Sequence, residues 1–329
     1  MREKDIRPDS LICENDKLFA EDIQKILNRR SEFIEIPCPA CESDKYRVVF
    51  EKGSFTFVSC TRCESVFINP RPTPEMLAEF YATSQSIKHW NDRIFPVSEN
   101  VRRSEIFAPR AQRIAELCSK HKTETKVLID VGAGFGTFCE EVKKLAIFDE
   151  VIAVEPSHEL AETCRCKGLD LIEKPIEEVD LDGVSVITNF ELIEHLYWPK
   201  DFLQACAGAL DKGGLFVLTT PNIKGFDLLV LGKLSDNIRG PDHLNYFHPK
   251  SLCHLLQSCG FEVVEVITPG KLDAGLVRKK ILNGQLDISN RPFLKLLLID
   301  DWETKGEVFQ RFLQDNQLSS HLWMVARKK

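Results

Sequence analysis

No apolar run in this 329-residue chain comes near the roughly 20 residues that a membrane-spanning helix requires. The longest candidate, Phe226 to Leu231, is only long enough for a core segment. The N-terminal stretch MREKDIRPDSLICENDK has no apolar h-region and no small-residue cleavage site, so no secretory signal is visible. Basic excess is lacking as well: 43 Lys and Arg stand against 50 Asp and Glu, a formal net charge of −7. Proteins that grip nucleic acid through its phosphates carry a basic surplus or a basic stripe. The short runs Arg102-Arg103 and Arg278-Lys279-Lys280 read as solvated faces, so nucleic acid as the main substrate is disfavoured. Internal repeats and low-complexity stretches are absent, and 17 Gly and 16 Pro in 329 residues exclude a collagen-like chain. What remains is a globular chain of about two domains, expected in the cytoplasm with reduced thiols.

Twelve cysteines in such a chain call for an account other than disulfides. Cys38-Pro-Ala-Cys41 and Cys60-Thr-Arg-Cys63 are two C-x-x-C knuckles with eighteen residues between them. Each knuckle offers two sulfurs from one tight turn, and four thiolates close a tetrahedron around zinc. A closed four-cysteine site leaves no position for substrate, so this zinc is expected to be structural. Between the knuckles, YRVVFEKGSFTFVSC alternates like a short hairpin with Gly53 near its turn. Cys164-Arg-Cys166 has the wrong spacing for a knuckle, and the remaining eight cysteines read as small core or surface residues.

Asn69-Pro-Arg-Pro-Thr-Pro follows as a stiff linker, with Thr73 as N-cap and Pro74 as the first residue of a short helix. An amphipathic helix is expected from about Phe107 to His121. From Lys126 the pattern alternates β and α: KVLIDVG, a helix over Thr137–Leu145, EVIAVEP, the helix SHELAETCRCKG, then strands near Leu169–Glu173 and Val184–Thr188. A helix over Pro199–Leu210, Gly213-Gly214, the strand LFVLTT, a helix over Pro249–Cys259 capped by Gly260, and the strand FEVVEVI complete it. This alternation is the mark of an α/β fold, a mostly parallel sheet wound on both faces by helices. Ligands in such sheets sit beyond the carboxyl ends of the strands, beside the first one.

The residues at that point are Asp130-Val131-Gly132-Ala133-Gly134-Phe135-Gly136. The pattern is G-x-G-x-G, with Thr137 where the dinucleotide fingerprint needs its third glycine, which weakens a nicotinamide reading. Glu155, nineteen residues past Gly136 at the end of the next strand, can accept both ribose hydroxyls of a nucleoside.

LIDVGAGFGTFCE, VIAVEPS, TNFELIEHLYWPKDFL and LDKGGLFVLTTPN, in that order, resemble the successive motifs of class I S-adenosylmethionine-dependent methyltransferases. DHLNYFHPKSLCHLLQSCGFEVVEV resembles the late segment of that family, and the ribbon followed by FINPRPTPEMLAEFY resembles a subgroup with a zinc ribbon before the core. The resemblance implies a Rossmann-like, doubly wound seven-stranded sheet in which SSHLWMVARKK is the last strand, antiparallel. Its implied organisation is an N-terminal extension over 1–35, the ribbon over 36–72, linking helices over 73–121 and the methyltransferase domain over 122–329. A helical insertion at about 271–318 reads as a lid, a dimer element or a packing pair.

By the same resemblance S-adenosylmethionine is the co-substrate. Asp130, Gly132 and Gly134 hold its amino-acid end, Glu155 its ribose, Glu177 lies near the adenine, and Asn189 lines the methionine portion. The subgroup acts on sugars, nucleotide-sugars or other small metabolites, which makes a small hydroxylated acceptor the expected partner. A hydroxyl must lose its proton as the bond forms, and histidine suits that work. His243, with Asp242 or Asn245 to fix its tautomer, is the expected base and His195 the second candidate. Two other readings stand beside this one. A ribbon face bearing Lys45, Tyr46, Arg47, Lys52 and Arg62 would read RNA or a protein, or the chain is a non-catalytic donor-binding subunit.

Overall fold

The computed structural model describes residues 3–329, so the first two residues of the expected N-terminal extension lie outside it. The strands, in chain order, are β1 (Tyr46–Lys52), β2 (Phe55–Cys60), β3 (Val66–Ile68), β4 (Val127–Val131), β5 (Glu150–Val154), β6 (Asp170–Ile172), β7 (Val184–Phe190), β8 (Leu210–Pro221), β9 (Asn245–Tyr246), β10 (Phe261–Ile267) and β11 (His321–Lys328). Seven of them form one sheet in the order β10-β11-β8-β7-β4-β5-β6. β4 to β8 run parallel, and β11 is antiparallel to both of its neighbours, β8 and β10. The α/β Rossmann-like fold expected from the β/α alternation is the fold observed.

Successive strand residues alternate between the two faces, and both faces are buried. Ile129, Ile187, Phe216 and Met324 pack with Phe202 and Leu203 of the helix Pro199–Ala209 and with Leu252 and Leu255 of the helix Pro249–Ser258. Their neighbours Leu128, Val186, Val217 and Val325 point the other way. They meet Ile114 and Leu117 of the helix Ala108–His121 and Phe138 and Val142 of the helix Thr137–Leu145. Gly213-Gly214, expected between helix and strand, instead lies inside β8, where the pairing with β7 shifts register. That is the ordinary use of glycine at a bulge.

The expected hairpin forms as β1 and β2, with Gly53 and Ser54 both at positive φ in the two-residue turn. The ribbon sheet has four strands, β1-β2-β3-β9, and its last strand comes from far along the chain. The stretch expected as a linker is packed into this junction. Arg71 is fully buried, its Nε donating to the Ile68 carbonyl at 3.2 Å and its guanidinium to Asn245 Oδ1 at 3.0 Å. Thr73 caps the helix Pro74–Thr83 as anticipated, its hydroxyl accepting from Met76 N. No helix among the described residues is long and apolar enough to cross a membrane.

The insertion supplies the helices Asp273–Leu282 and Trp302–Asp315, which pack with the helix Phe226–Leu231 through Leu231, Val277, Leu298 and Trp302. Under this contact Asp273 accepts from Gln310 Nε2 at 2.6 Å and Ser319 Oγ at 2.7 Å. Asp227 lies beside it, and burial together with the Asp273 charge pushes its carboxyl up to about 7. A carboxyl raised in the folded state favours folding while it is protonated, and that contribution is lost as pH rises from about 4 through 7. Asp227→Asn removes the penalty. We expect the variant to gain on the order of 2 kcal/mol more stability at pH 8 than at pH 5. Thermal unfolding at the two pH values checks this, and equal gains at both would refute it.

Candidate functional site

The carboxyl ends of β4, β5 and β7 carry the residues expected at the donor site. Gly132 N donates to the Val154 carbonyl at 2.9 Å, which draws the glycine loop over the end of β5. Gly134 and Gly136 both hold positive φ, where side-chain-bearing residues are strained. At Gly136 a Cβ would also strike Leu169 Cδ1 at 2.4 Å, whereas at Gly134 it would meet nothing within 4 Å. Gly136 is therefore needed for packing, and Gly134 leaves open space where a ligand can approach the backbone. Next to it, Phe135 stacks on Phe95 with ring centroids 3.7 Å apart.

Glu155 is buried at this loop, its two oxygens accepting from Gly134 N at 2.8 Å and Ser157 N at 2.9 Å. Burial raises its carboxyl above the usual range, and the two N–H groups oppose that. Each oxygen keeps a lone pair for a ribose hydroxyl. Asp130 accepts from Thr188 Oγ1 at 2.7 Å, and burial pushes it up to about 7 against the pull of Thr188 and Arg110. Asn189 is fully buried with Nδ2 on the Val131 carbonyl at 3.1 Å, and its Oδ1 has no partner among the described residues. Glu177 sits in a short 3-10 turn, Ile176–Glu178, with Asp201 and Glu178 as its charged neighbours.

Past β7 the chain turns through Glu191, which has φ +54 and accepts from Thr219 Oγ1 at 2.6 Å. Glu194 is buried and accepts from Thr220 Oγ1 at 2.9 Å. Its main-chain carbonyl takes both Leu244 N and Asn245 N, at 2.9 and 3.0 Å, which clamps the two histidine-bearing segments together. The His195 and His243 rings then meet edge to face, with centroids 4.7 Å apart. His195 Nδ1 lies 2.8 Å from the Asp242 carbonyl and His243 Nδ1 lies 3.1 Å from the Asn237 carbonyl. A carbonyl only accepts, so each Nδ1 carries the proton and each Nε2 keeps a free lone pair.

The expectation that Asp242 or Asn245 fixes the His243 tautomer is thus corrected. The Asp242 carboxylate accepts from Arg239 Nε, and Asn245 is spent on Arg71 and the Leu196 carbonyl. A main-chain carbonyl does the work, which residue type could not reveal. Burial, reinforced by His195, lowers His243 to about 4, and burial lowers His195 as well, so both rings are neutral.

Two residues of this site carried no sequence signal. Tyr81 brings its hydroxyl to 3.4 Å from the Asp242 carbonyl and 3.5 Å from His195 Nδ1. Arg110 lies over the Phe190 ring at 4.4 Å and 3.7 Å from Glu191 Oε1, and its charge reaches Asp130. It lies between Asp130 and Glu191, on a helix whose pattern showed only amphipathicity.

The four ribbon cysteines converge as expected. Their sulfurs lie within 4.8 Å of one another, with Cys38–Cys63 and Cys41–Cys60 each at 3.5 Å. Zinc–sulfur bonds of about 2.3 Å place tetrahedral sulfurs about 3.8 Å apart, so the cage has the right size. The knuckles match in backbone too. Glu42 and Glu64 both take positive φ, and their N–H groups donate to the Cys38 and Cys60 carbonyls at 2.8 and 3.0 Å.

A family model described as a methyltransferase domain matches residues 102–266, half of the chain. A "probable S-adenosylmethionine-dependent methyltransferase" of Mycolicibacterium smegmatis is 31% identical over 98 residues, 30% of this chain and 35% of that protein. A ubiquinone biosynthesis O-methyltransferase of Burkholderia thailandensis is 24% identical over 154 residues, 43% of this chain and 66% of that one. The chain thus spans between about a third and two-thirds of the curated relatives it matches. Among solved structures, an S-adenosylmethionine-dependent methyltransferase from Clostridium acetobutylicum superposes with a TM-score of 0.48 at 11% identity, covering 70% of this chain and 96% of that one. The matched half runs from the helix before β4 through β10 and holds the glycine loop, Glu155 and both histidines, and by that match the chain belongs to the methyltransferase domain family.

Proposed function

We propose that this chain transfers a methyl group from S-adenosylmethionine to a hydroxyl of a small acceptor, of the sugar, nucleotide-sugar or biosynthetic-metabolite class. The observation that carries the reading is Glu155 held against the open Gly134 backbone at the end of β5. A buried carboxylate there offers two charge-assisted hydrogen bonds to vicinal ribose hydroxyls. Asp130, Gly132 and Gly134 would receive the amino-acid end of the donor, with Asn189 beside it and Glu177 toward the adenine. Arg110, already between Asp130 and Glu191, supplies the cation for the donor's carboxylate.

The sulfonium makes the methyl group electrophilic, so the chain's task is to align the acceptor, exclude water and receive the hydroxyl proton. His243 Nε2 is the proposed acceptor of that proton, with His195 the second candidate. An acceptor hydroxyl agrees with the O-methyltransferase named among the relatives. The ribbon would hold a structural zinc through Cys38, Cys41, Cys60 and Cys63. A reader of RNA is less favoured because Lys52, counted toward its basic face, is half-buried and donates to the Ser235 carbonyl at 2.7 Å.

Glu155→Ala is expected to weaken donor binding by about 2–3 kcal/mol, the loss of hydrogen bonds to a charged group. Calorimetry with S-adenosylmethionine and with its demethylated product checks this. Unchanged affinity would overturn the assignment of the ribose site.

A further inference from the structure

We infer that Glu194, His195 and His243 form a second metal site, for a divalent cation on the acceptor side of the cleft. Each offers a ligand atom, and the three atoms lie within 4.8 Å of one another. Orientation supports the inference independently of distance. Both imidazoles spend Nδ1–H on main-chain carbonyls, of Asp242 and Asn237, which leaves Nε2 as the donor atom in each ring. That is how metal-binding histidines are held, the second nitrogen fixing tautomer and ring orientation. Glu194 is held likewise, one oxygen accepting from Thr220 Oγ1. Because the Glu194 carbonyl pins Leu244 and Asn245, the ligands are brought together by backbone before any ion arrives.

Neighbouring cations do not occupy the cluster's carboxylate: Arg110 pairs with Glu191 and Arg239 with Asp242, and no ion pair among the described residues engages Glu194.

Two imidazoles and one carboxylate make a site unlike the ribbon. Four thiolates select zinc and close the coordination sphere, whereas a His2Glu set leaves positions open and accepts Mn2+, Co2+ or Zn2+. The open positions would take the acceptor's hydroxyl oxygen, and an adjacent second oxygen where the acceptor has one. The inference deepens the methyl-transfer reading and rests on it for its purpose. With the ion bound, the imidazole lone pairs would serve the metal, and coordination would lower the acceptor hydroxyl's pKa so that its proton leaves to solvent, the oxygen then taking the methyl group as the donor's C–S bond breaks and its sulfur departs as the thioether.

The test is titration of the full chain, with its ribbon zinc in place, with Mn2+ followed by electron paramagnetic resonance. Hard Mn2+ does not compete for thiolates, so the two sites are read separately. The expected result is one saturable Mn2+ per chain, with affinity reduced at least about 10-fold in His243→Ala and in Glu194→Gln. Zinc content and donor affinity, measured on the same samples, should be unchanged and show the variants to be folded. Should Glu194→Gln fail to fold, His243→Ala alone decides. Absence of saturable Mn2+ binding in the wild type, or unaltered binding in His243→Ala, overturns the inference. Mn2+ binding without donor binding would instead sink the methyl-transfer reading and leave the metal site standing.

Discussion

Removal of the ribbon zinc is expected to unfold residues 36–72 and to loosen residues 237–248 with them, while donor affinity persists. Structural zinc in small modules is coupled to folding by about 10 kcal/mol or more. Cys38, Cys41 and Cys60 are buried, so without an ion four sulfurs would crowd together with only weak hydrogen bonds, such as Arg62 N to Cys60 Sγ and Cys63 Sγ to Ser65 Oγ, to hold them. The damage should spread because the ribbon is not self-contained. β3 pairs with β9, His248 Nε2 donates to the Cys63 carbonyl at 2.9 Å, and Arg71 spans the junction to Asn245. Those contacts flank His243. Asp130 and Glu155, by contrast, belong to β4 and the end of β5, inside the large sheet with its own apolar faces. Hydrogen exchange before and after chelation, with donor calorimetry on both samples, makes the comparison. A freshly purified chain that contains no zinc yet protects the ribbon amides would refute the metal assignment.

Replacement of His243 by alanine is expected to lower turnover by about 100-fold or more while leaving donor affinity nearly intact. The ring is neutral, its Nδ1–H is committed to the Asn237 carbonyl, and only Nε2 remains to act on an acceptor. None of its hydrogen bonds reaches the glycine loop or Glu155, so the donor should not sense the change. His195→Ala should cost turnover and stability together, because His195 Nδ1 also holds the Asp242 carbonyl that Tyr81 shares. Proton acceptance and metal ligation by His243 predict the same loss of turnover, and the Mn2+ titration separates them. Near-normal turnover in both variants would mean that the acceptor is activated elsewhere, with a nitrogen or carbon nucleophile the better reading.

The parts of this protein legible in its sequence are those whose cause lies within a few residues. The C-x-x-C knuckles needed only their own spacing, and both close as matching turns with Glu42 and Glu64 in the same backbone conformation. The β/α alternation placed the helix Thr137–Leu145 and the strands around it, because burial on both faces of a parallel sheet leaves continuous apolar runs. The glycine loop and Glu155 were found for the same reason, one turn and one strand end.

What tertiary structure alone decided depends on residues far apart in the chain. Asn245 and Tyr246, two residues too few to read as a strand, complete the ribbon sheet because β3 presents an unpaired edge. Arg71 looked like linker chemistry but is fully buried, its charge held by a carbonyl, Asn245 Oδ1 and two aromatic faces. Arg110 and Tyr81 stood on ordinary helical patterns and acquired their roles only when those helices docked against β7 and the 242 loop. The partner of His243 is a main-chain carbonyl, identical for every residue type, so no reading of side chains could have named Asn237. Local spacing dictates turns and strand ends, whereas the meeting of His195, His243 and Glu194 follows from hydrogen bonds that only the closed fold can form.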